Sequence, residues 1–448
     1  MSAMDAEACY RAIEGRDGRF AGRFFLGVRT TNIYCRPGCP ARLPRRENVV
    51  FFPSAAAAQA AGYRACLRCR PDAAPGSPAQ AGTAATLSRA LRLLEESGDP
   101  SGLAERLGVT DRHLRRLFAR HLGASPAEVL RTRRLHLARQ LLENSSLRII
   151  DVAHAAGFHS LRRFNEAVRR GFGRTPTQLR AKPAVEAGAE LSLRLPFRPP
   201  LDFEALLAFF AARALPSIEE VRDGTWRRRL PEGWLEVRRV GPAHLEASMP
   251  AALAPRALEI AARIQRVFDL RADPGPIQEH LGRDAVLTPF LRAGLRIPGA
   301  WDPFEMAVRA ILGQQISVPR ARAMAIALIE QFAGFPTPAR LAEAELRGMP
   351  AVRANAIVQL ARSVRDGQVR LDGSQDLDAV TAALCKVPGI GDWTAHLVAL
   401  RALGEPDAFP ASDLGLCRAL GLTPGALLER AENWRPWRAY AAAAIWLG

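Results

Sequence analysis

The pattern of apolar and polar positions divides the chain into helical stretches and one short region of strands. Between residues 85 and 182, apolar residues recur at helical spacing. Residues 190–250 instead contain two runs, 191–195 and 234–238, in which apolar and polar residues alternate as in half-buried strands. From about residue 252 to the end, Ala-rich amphipathic patterns again predict helices. We therefore expect a mainly α protein with α+β parts.

Two stretches rich in turn and linker residues, at 71–78 and 182–188, separate these regions. A chain of 448 residues has room for roughly three domains of about 150 residues each. No apolar run is long enough to span a membrane, and the first residues lack the apolar core of a signal peptide. The sequence thus predicts a multidomain cytoplasmic protein with no membrane contact.

Positive charge is concentrated at the front of the chain. The net charge is +17, and residues 1–182 carry all but one of the excess positive charges, because acidic and basic residues nearly balance behind them. An Arg-biased composition explains why only two lysines occur, but it does not explain this asymmetry. A basic front indicates a polyanionic partner, most simply nucleic acid.

Four of the seven cysteines form two closely spaced pairs, Cys35 with Cys39 and Cys66 with Cys69. Pairs at such spacing let four thiolates converge on one tetrahedral Zn²⁺. On spacing alone, a closed zinc site that only stabilises a small domain is the simpler interpretation. The alternative is a reactive zinc thiolate.

Segments 24–42, 48–52 and 61–72, which surround these cysteines, resemble the N-terminal domain of the Ada family of alkylation-repair proteins. The resemblance implies that Cys35, the first ligand, accepts a methyl group from a methyl phosphotriester in DNA. Methylation of one thiolate makes the site less negative, so nearby arginines, Arg36 and Arg45 among them, would bind phosphate better. The sequence has Asn32 where we would expect Gly in this loop.

Residues 101–122 and 149–176 each have the pattern of a helix-turn-helix. In the first, Gly108 marks the turn and Thr110 the cap; in the second, Gly157 and Ser160 take these places. A helical bundle with an arginine-rich solvated face is the non-functional alternative.

Two such units, joined by a helix near 127–143 and closed by the run at 172–176, resemble the AraC-type DNA-binding domain. The resemblance implies contacts in the major groove, and the residues that would make them are Arg112, His113, Arg116, Ser160, Arg162, Arg163 and Asn165.

The Pro-Gly-Ile-Gly run ending at Gly391 and followed by a helix start is typical of a helix-hairpin-helix. Gly389 and Gly391 let the backbone approach a phosphate, and the next helix offers free N–H groups. About twenty residues later comes Asp413, which without the hairpin would be interpreted as a helix N-cap.

Together with segments 197–213 and 304–318, these features resemble the AlkA type of helix-hairpin-helix DNA glycosylase, DNA-3-methyladenine glycosylase II. The resemblance implies that Asp413 is the catalytic carboxylate, stabilising an oxocarbenium-like sugar. It implies a base pocket lined by Phe209, Trp393 and Trp446, and a Na⁺ or K⁺ ion at the hairpin.

Three departures from the family pattern refine these expectations. Trp393 stands where bifunctional members have Lys, so base release should proceed without strand cleavage. Leu397 and Leu414 replace expected tyrosines, which puts the range of bases in question. Gln315 occupies the place of an apolar wedge that enters the duplex.

We therefore expect four domains: a small α/β zinc domain (1–75), an all-α double helix-turn-helix domain (83–182), a small antiparallel β-containing domain (190–284) and an all-α glycosylase domain (285–448). The expected protein is a monomeric, nucleoid-associated bacterial alkylation-response protein. It would bind alkylated and promoter double-stranded DNA, work with RNA polymerase, and excise bases such as 3-methyladenine. One alternative is a transcription regulator with an inactive glycosylase-like half; another is a glycosylase tethered to DNA by a structural zinc module.

Overall fold

The computed structural model describes residues 6–15, 20, 24–69, 71, 83–180 and 190–448. Apart from residue 71, the two predicted linkers at 71–78 and 182–188 lie outside these residues. The chain forms two compact units, one of residues 1–199 with 239–263 and the other of residues 200–238 with 264–448. It is mainly helical with small sheets, as the sequence predicts. Among the described helices, none combines the length and apolar character needed to span a bilayer.

The first unit begins with a helix and a small four-stranded sheet. Its elements are α1 (Ala6–Glu14), β1 (Phe25–Val28), β2 (Ile33–Cys35), β3 (Val49–Phe52), α2 (Ala55–Ala60) and β4 (Arg64–Ala65). The strand order is β3-β1-β2-β4; β1 is antiparallel to both neighbours, and β4 is parallel to β2. Gly27 is required in β1, because an added Cβ would lie 2.7 Å from the rings of Phe52 and Tyr63.

Asn32, in the turn between β1 and β2, adopts a positive φ of 51°. Glycine is the usual residue in this region of backbone space, and asparagine is among the residues that tolerate it best. The departure from the expected Gly therefore preserves the backbone of the loop. The same turn is closed by a hydrogen bond from the Asn32 N–H to the Val28 carbonyl, at 2.9 Å.

Seven helices follow in the first unit. They are α3 (Thr83–Ser97), α4 (Leu103–Arg106), α5 (Asp111–Leu122), α6 (Pro126–Asn144), α7 (Ile149–Ala155), α8 (Leu161–Phe172) and α9 (Pro176–Leu179). The helix boundaries follow local chemistry: Ser125 begins α6 and Thr175 begins α9, each with a reciprocal capping box and a proline at the first turn. The pairs α4–α5 and α7–α8 are the two predicted helix-turn-helix units.

Strands and short helices make up residues 190–267. They are β5 (Glu190–Pro196), α10 (Phe203–Ala211), β6 (Glu219–Arg222), β7 (Thr225–Leu230), β8 (Gly233–Arg239), β9 (His244–Pro250) and α11 (Ala257–Val267). Both alternating runs predicted as strands are strands, lying within β5 and β8. Within the first unit, β5 pairs with β9 in antiparallel register. Within the second, β6, β7 and β8 form an antiparallel meander.

The remainder of the second unit is helical. Its elements are α12 (Pro274–Leu281), α13 (Pro303–Leu312), α14 (Val318–Phe332), α15 (Pro338–Ala342), α16 (Ala351–Arg365), α17 (Leu377–Cys385), α18 (Asp392–Arg401), α19 (Leu414–Leu420), α20 (Pro424–Ala431) and α21 (Arg438–Leu447). Helices α13, α18 and α21 lie almost wholly inside one large apolar core. This rigid core carries the exposed hairpin and the Asp413 loop on its surface.

Candidate functional site

The parallel pairing of β2 with β4 brings the four cysteines together. Cys35 ends β2, and Cys66 follows β4 directly, with its backbone N–H donating to the Tyr34 carbonyl at 3.0 Å. Cys39 and Cys69 follow after short turns. The four sulfur atoms lie within 4.8 Å of one another. The sequence-predicted ligand set is thus assembled by the fold itself.

The donor set fits a Zn²⁺ ion. Without a cation, four thiolates at this spacing would repel one another, so the sulfurs share protons instead. Hydrogen bonding to Cys39 raises the pKa of Cys35, and the same bond lowers the pKa of Cys39 to about 7. Zn²⁺ bound by four cysteine sulfurs is the usual tetrahedral arrangement for such a cluster. The cluster therefore supports zinc as the metal of this site.

The cluster has an unequal solvent exposure. Cys35 is only 6% exposed, whereas Cys39 is more open. Solvent therefore reaches Cys39 more readily than Cys35. Arg36 is half-buried beside the ligands, and Arg45 is exposed.

A chain of hydrogen bonds joins the strand of Cys35 to helix α6. The Tyr34 hydroxyl lies 3.2 Å from His136 Nε2 and accepts from Gln59 Nε2 at 3.0 Å. Thr132 Oγ1 donates to Gln59 Oε1 at 2.9 Å. Tyr34 is fully buried, so this polar chain is part of the interior of the first unit.

The first helix-turn-helix presents two of its three predicted contacts to solvent. Thr110 caps α5 by accepting from the His113 N–H at 3.2 Å, as predicted. Arg112 and Arg116 are exposed, while Phe118 is buried on the opposite face. His113 is half-buried, and its Nδ1 lies 3.1 Å from the Arg116 guanidinium. The charged face of α5 is therefore free to enter a groove.

The second helix-turn-helix is built the same way. Ser160 caps α8 by accepting from the Arg163 N–H at 3.4 Å. Arg162 and Arg163 are exposed, Asn165 is half-buried, and Phe164 is fully buried. The predicted polar face and the predicted core face are thus both present.

Asp413 lies in the second unit, immediately before α19, with both carboxylate oxygens engaged. Its Oδ2 accepts from the Trp393 indole N–H at 3.0 Å. Its Oδ1 accepts from the backbone N–H groups of Gly415 and Leu416, at 3.0 and 3.1 Å. Asp413 is therefore a helix N-cap, yet it remains half-exposed. Three donors hold an anionic group at the surface in one orientation.

The hairpin is exposed at its two glycines. Gly389 has a φ of 87°, and a Cβ added there would lie 2.6 Å from the Ala356 Cβ of α16. Gly391 begins α18 and has open space where a Cβ would stand. Ile390, between them, is buried and fixes the hairpin to the core. The backbone of both glycines is thus exposed at the start of α18, and phosphate binding there stays a prediction.

Gln315 is exposed and has a positive φ of 54°, a conformation that non-glycine residues adopt rarely. The neighbouring Gln314 fixes the loop. Its Nε2 donates to the Gly389 carbonyl at 2.9 Å and to Thr394 Oγ1 at 3.0 Å. Gln314 is not among the predicted site residues, and its only signal in the sequence is its position next to Gln315.

The predicted base-pocket residues differ in availability. Trp393 and Trp446 are half-buried, but Phe209 is only 7% exposed. The Arg213 guanidinium carbon lies 3.7 Å from the Phe209 ring centroid, and that of Arg401 lies at 4.9 Å. Neither arginine belongs to the predicted site residues, although the spacing of four residues between Phe209 and Arg213, at the end of α10, is a signal for contact.

The two leucines found where tyrosines were expected have different environments. Leu397 is buried in α18, and Leu414 is 56% exposed next to Asp413. Neither side chain carries a hydroxyl that could donate to a base. Of the three predicted base-pocket aromatic residues, Trp393 and Trp446 are more exposed than Phe209.

Comparison with known proteins matches three parts of the chain to family models. Residues 8–72 match the metal binding domain of Ada, residues 103–182 a helix-turn-helix domain, and residues 192–302 the AlkA N-terminal domain.

Three curated relatives cover the chain in whole or in part. The probable bifunctional transcriptional activator/DNA repair enzyme AlkA of Mycobacterium tuberculosis is 42% identical over 99% of this chain and 96% of its own length. DNA-3-methyladenine glycosylase 2 of Escherichia coli is 38% identical over 56% of this chain and 95% of its own. The bifunctional transcriptional activator/DNA repair enzyme Ada of Escherichia coli is 34% identical over 38% of this chain and 48% of its own.

These matches follow the order of the sites described above: a cysteine cluster, a pair of helix-turn-helix units and a glycosylase-like second unit. They confirm the three resemblances seen in the sequence, and with them zinc as the metal and the DNA glycosylase type of the enzyme. The chain belongs to the family of bifunctional transcriptional activators and DNA repair enzymes.

Proposed function

We propose that the second unit is a monofunctional glycosylase that removes alkylated purines such as 3-methyladenine from DNA. The observation that carries the proposal is the Asp413 carboxylate, held by three N–H donors and still open to solvent. An alkylated purine is already a cation, so the barrier lies in the positive charge that develops on the sugar. A fixed carboxylate near that sugar stabilises the charge.

The reaction has a simple balance. The bond from C1′ to the base breaks, the electron pair leaves with the base, and water adds to C1′ and loses a proton. Strand cleavage through a Schiff base requires an amine, and Trp393 stands where that lysine would be. Lys386, one of only two lysines in the chain, lies exposed at the end of α17. The product should therefore be an intact strand with an abasic site.

The test uses a duplex with one alkylated purine. The full chain should release the base and leave an alkali-sensitive site, and borohydride should trap no protein–DNA adduct. Asp413→Asn should abolish release. Asp392→Asn, at an exposed carboxylate on the first turn of α18, is the matched control and should remain active. An active Asp413→Asn enzyme would favour a different catalytic group. Wild-type protein inactive on every lesion would favour a regulator with a glycosylase-like remnant.

For the first unit, we propose that Cys35 accepts a methyl group from a DNA methyl phosphotriester. The sulfur forms a bond to the methyl carbon, the bond from carbon to phosphate oxygen breaks, and that oxygen keeps the electron pair. Zinc held by the four cysteines keeps the sulfur deprotonated without removing its nucleophilic character. The thioether formed has no leaving group that water displaces readily, so each molecule should react once.

Peptide mapping by mass spectrometry tests this assignment. Incubation with DNA that carries methyl phosphotriesters should add one methyl group, on the peptide that contains Cys35. Cys39 is the more exposed ligand and therefore the alternative acceptor. A methyl group found on Cys39 would overturn the assignment to Cys35. No methyl uptake at any ligand would support the alternative in which zinc only stabilises a DNA-tethering module.

Methylation and promoter binding are joined in the same proposal. Loss of one negative charge near Arg36 and Arg45 should strengthen phosphate contacts, while α5 and α8 supply groove contacts. We propose that the methylated protein binds promoter DNA as a monomer and recruits RNA polymerase. Anisotropy with promoter DNA should show tighter binding after methylation, with a steeper dependence on salt. Equal affinity before and after would refute the switch.

We also propose a monovalent cation site at the hairpin. Exposed backbone around Gly389 and Gly391 would hold Na⁺ or K⁺ between the protein and a phosphate. Replacing these ions with tetramethylammonium at constant ionic strength should weaken binding to an abasic-site duplex. Unchanged binding would remove the ion from the proposal.

A further inference from the structure

The second unit contains an uneven group of buried charges close to the predicted base pocket. Arg228 and Arg309 both pair with Glu305, at 2.5 and 3.1 Å, and both lie near Glu219, at 3.6 and 4.0 Å. Two cations and two anions thus compensate each other. Such a group is an ionic network that joins β6, β7 and α13.

Arg213 and Arg401 stand beside this network without a carboxylate of their own. Among the described residues, none places a carboxylate oxygen within ion-pair distance of either guanidinium. The Arg213 Nη1 donates to the Phe209 carbonyl at 3.2 Å, and the Arg401 Nε donates to the Pro298 carbonyl at 2.9 Å. Unpaired cations in a low-dielectric surrounding are costly, and they tend to occur where a ligand supplies the missing charge.

Both guanidiniums share the ring of Phe209. At 3.7 Å, the Arg213 guanidinium carbon is in stacking contact with that ring, and the Arg401 carbon lies at 4.9 Å. A ring that already carries protein cations has little attraction left for a cationic base. Phe209 therefore does not act as a simple aromatic platform for alkylated cations.

Asp413 lies close enough to influence Arg213. Burial and the neighbouring Arg309 together lower the pKa of Arg213 to about 10, although the charge of Asp413 opposes this shift. Arg213 thus remains protonated near neutral pH. Its stacking on the Phe209 ring and its bond to the Phe209 carbonyl hold this positive group at the predicted base pocket.

The positive charge of Arg213 affects cationic and neutral lesions differently. A cationic base, such as 7-methylguanine, leaves as a neutral molecule, so a guanidinium disfavours its bound state. A neutral base, such as hypoxanthine, leaves with the electron pair of the broken bond and becomes an anion. A guanidinium beside the leaving base stabilises that developing negative charge.

We propose that Arg213 is a specificity-determining residue, which favours excision of neutral purine lesions relative to cationic ones by stabilising the departing base anion. This inference rests on the proposed role of Asp413. Bond breaking places the electron pair on the base, water adds to C1′, and the proton lost from that water neutralises the base. Arg213 gives up no proton in this sequence.

The experiment compares single-turnover excision of hypoxanthine and of 7-methylguanine from the same duplex, using the full chain. Arg213→Met removes the charge and keeps an unbranched side chain, and Arg213→Lys keeps the charge. Relative to wild type, Arg213→Met should lower the ratio of the hypoxanthine rate to the 7-methylguanine rate by about tenfold. Arg213→Lys should restore most of the ratio.

Arg340→Met is the matched control, because Arg340 also stacks on a phenylalanine of this unit, 5.2 Å from the Phe332 ring centroid, and is exposed. It should leave the ratio unchanged. Equal losses on both lesions in Arg213→Met would show a structural role and overturn the inference. Wild-type activity on 7-methylguanine but not on hypoxanthine would overturn it while leaving the role of Asp413 intact. Inactivity on both lesions would mean that the proposed function itself has failed.

Discussion

Replacing Trp393 with phenylalanine isolates one of the three hydrogen bonds that hold Asp413. The substitution keeps an aromatic ring in the pocket and removes the indole N–H, which lies 3.0 Å from Asp413 Oδ2. The two backbone donors, Gly415 and Leu416, stay in place on the other oxygen. Asp413 should therefore still cap α19, but its carboxylate should no longer be held in one orientation.

The size of the effect follows from the number of donors and their exposure. A hydrogen bond to a charged group contributes about 1.5–3 kcal/mol. Asp413 is half-exposed, so water can take the position of the lost N–H, and the lower end of that range applies. The expected loss is about 1.5 kcal/mol in transition-state stabilisation, which corresponds to roughly a tenfold slower excision.

The assay is single-turnover release of 7-methylguanine with enzyme in excess, so that product release does not limit the rate. Trp437→Phe is the control, because Trp437 packs edge-on against Tyr440, 5.7 Å between ring centroids, in the same unit. It should change the rate little. An unchanged rate in Trp393→Phe would refute the idea that the indole N–H orients the carboxylate. A loss of several hundredfold would point to stacking or folding instead, and the melting temperature would separate these two.

Four further predictions concern other parts of the structure. Gln314→Ala removes both bonds that tie the Gln315 loop to the hairpin and should slow excision from duplex DNA more than from single-stranded DNA, measured as a ratio of rates. Gly389→Ala should weaken affinity for an abasic-site duplex, since the new Cβ would lie 2.6 Å from that of Ala356; unchanged affinity would contradict the required close packing. Chelation of zinc should lower the melting temperature of the first unit and leave glycosylase activity intact. Burial raises the pKa of Asp269 from 3.8 to about 6, so the stability that this group contributes is present below pH 3.8 and lost as the pH rises through 6. The melting temperature of Asp269→Asn should therefore rise relative to that of the wild type between pH 4 and pH 7.

The sequence predicts best where a function depends on a short local pattern. The cysteine spacing identifies all four sulfurs that converge, and Thr110 and Ser160 are found at the helix caps that their sequence context predicts. These features are set within a few residues of chain. Asp413 shows the limit of such reasoning, because an N-cap aspartate and a catalytic aspartate have the same appearance in a sequence. In the structure Asp413 is an N-cap, and this position is compatible with a catalytic role as well.

The sequence does not predict contacts made by residues far apart in the chain. Arg401 contacts Phe209 although the two residues are 192 positions apart in the chain, and nothing near either residue signals the contact. The burial of Cys35 relative to Cys39 depends in the same way on how the small sheet packs. The domain boundaries stay predictions, and so do the major-groove contacts and the base pocket. The contacts and the pocket depend on a DNA-bound arrangement that local patterns do not encode.

The hydrogen-bond chain from Tyr34 through Gln59 to α6 limits how freely the parts of this protein could be exchanged. Tyr34 directly precedes the proposed methyl acceptor, while its partners lie on α2 and on the helix that joins the two helix-turn-helix units. A chimera that grafts the zinc-binding segment onto a foreign regulator would keep the bond between Gln59 and Tyr34 but lose His136 and Thr132 as partners, at a cost of about 1–3 kcal/mol for each polar group left unpaired. Such a graft should therefore be more stable when α6 is transplanted together with the zinc-binding segment.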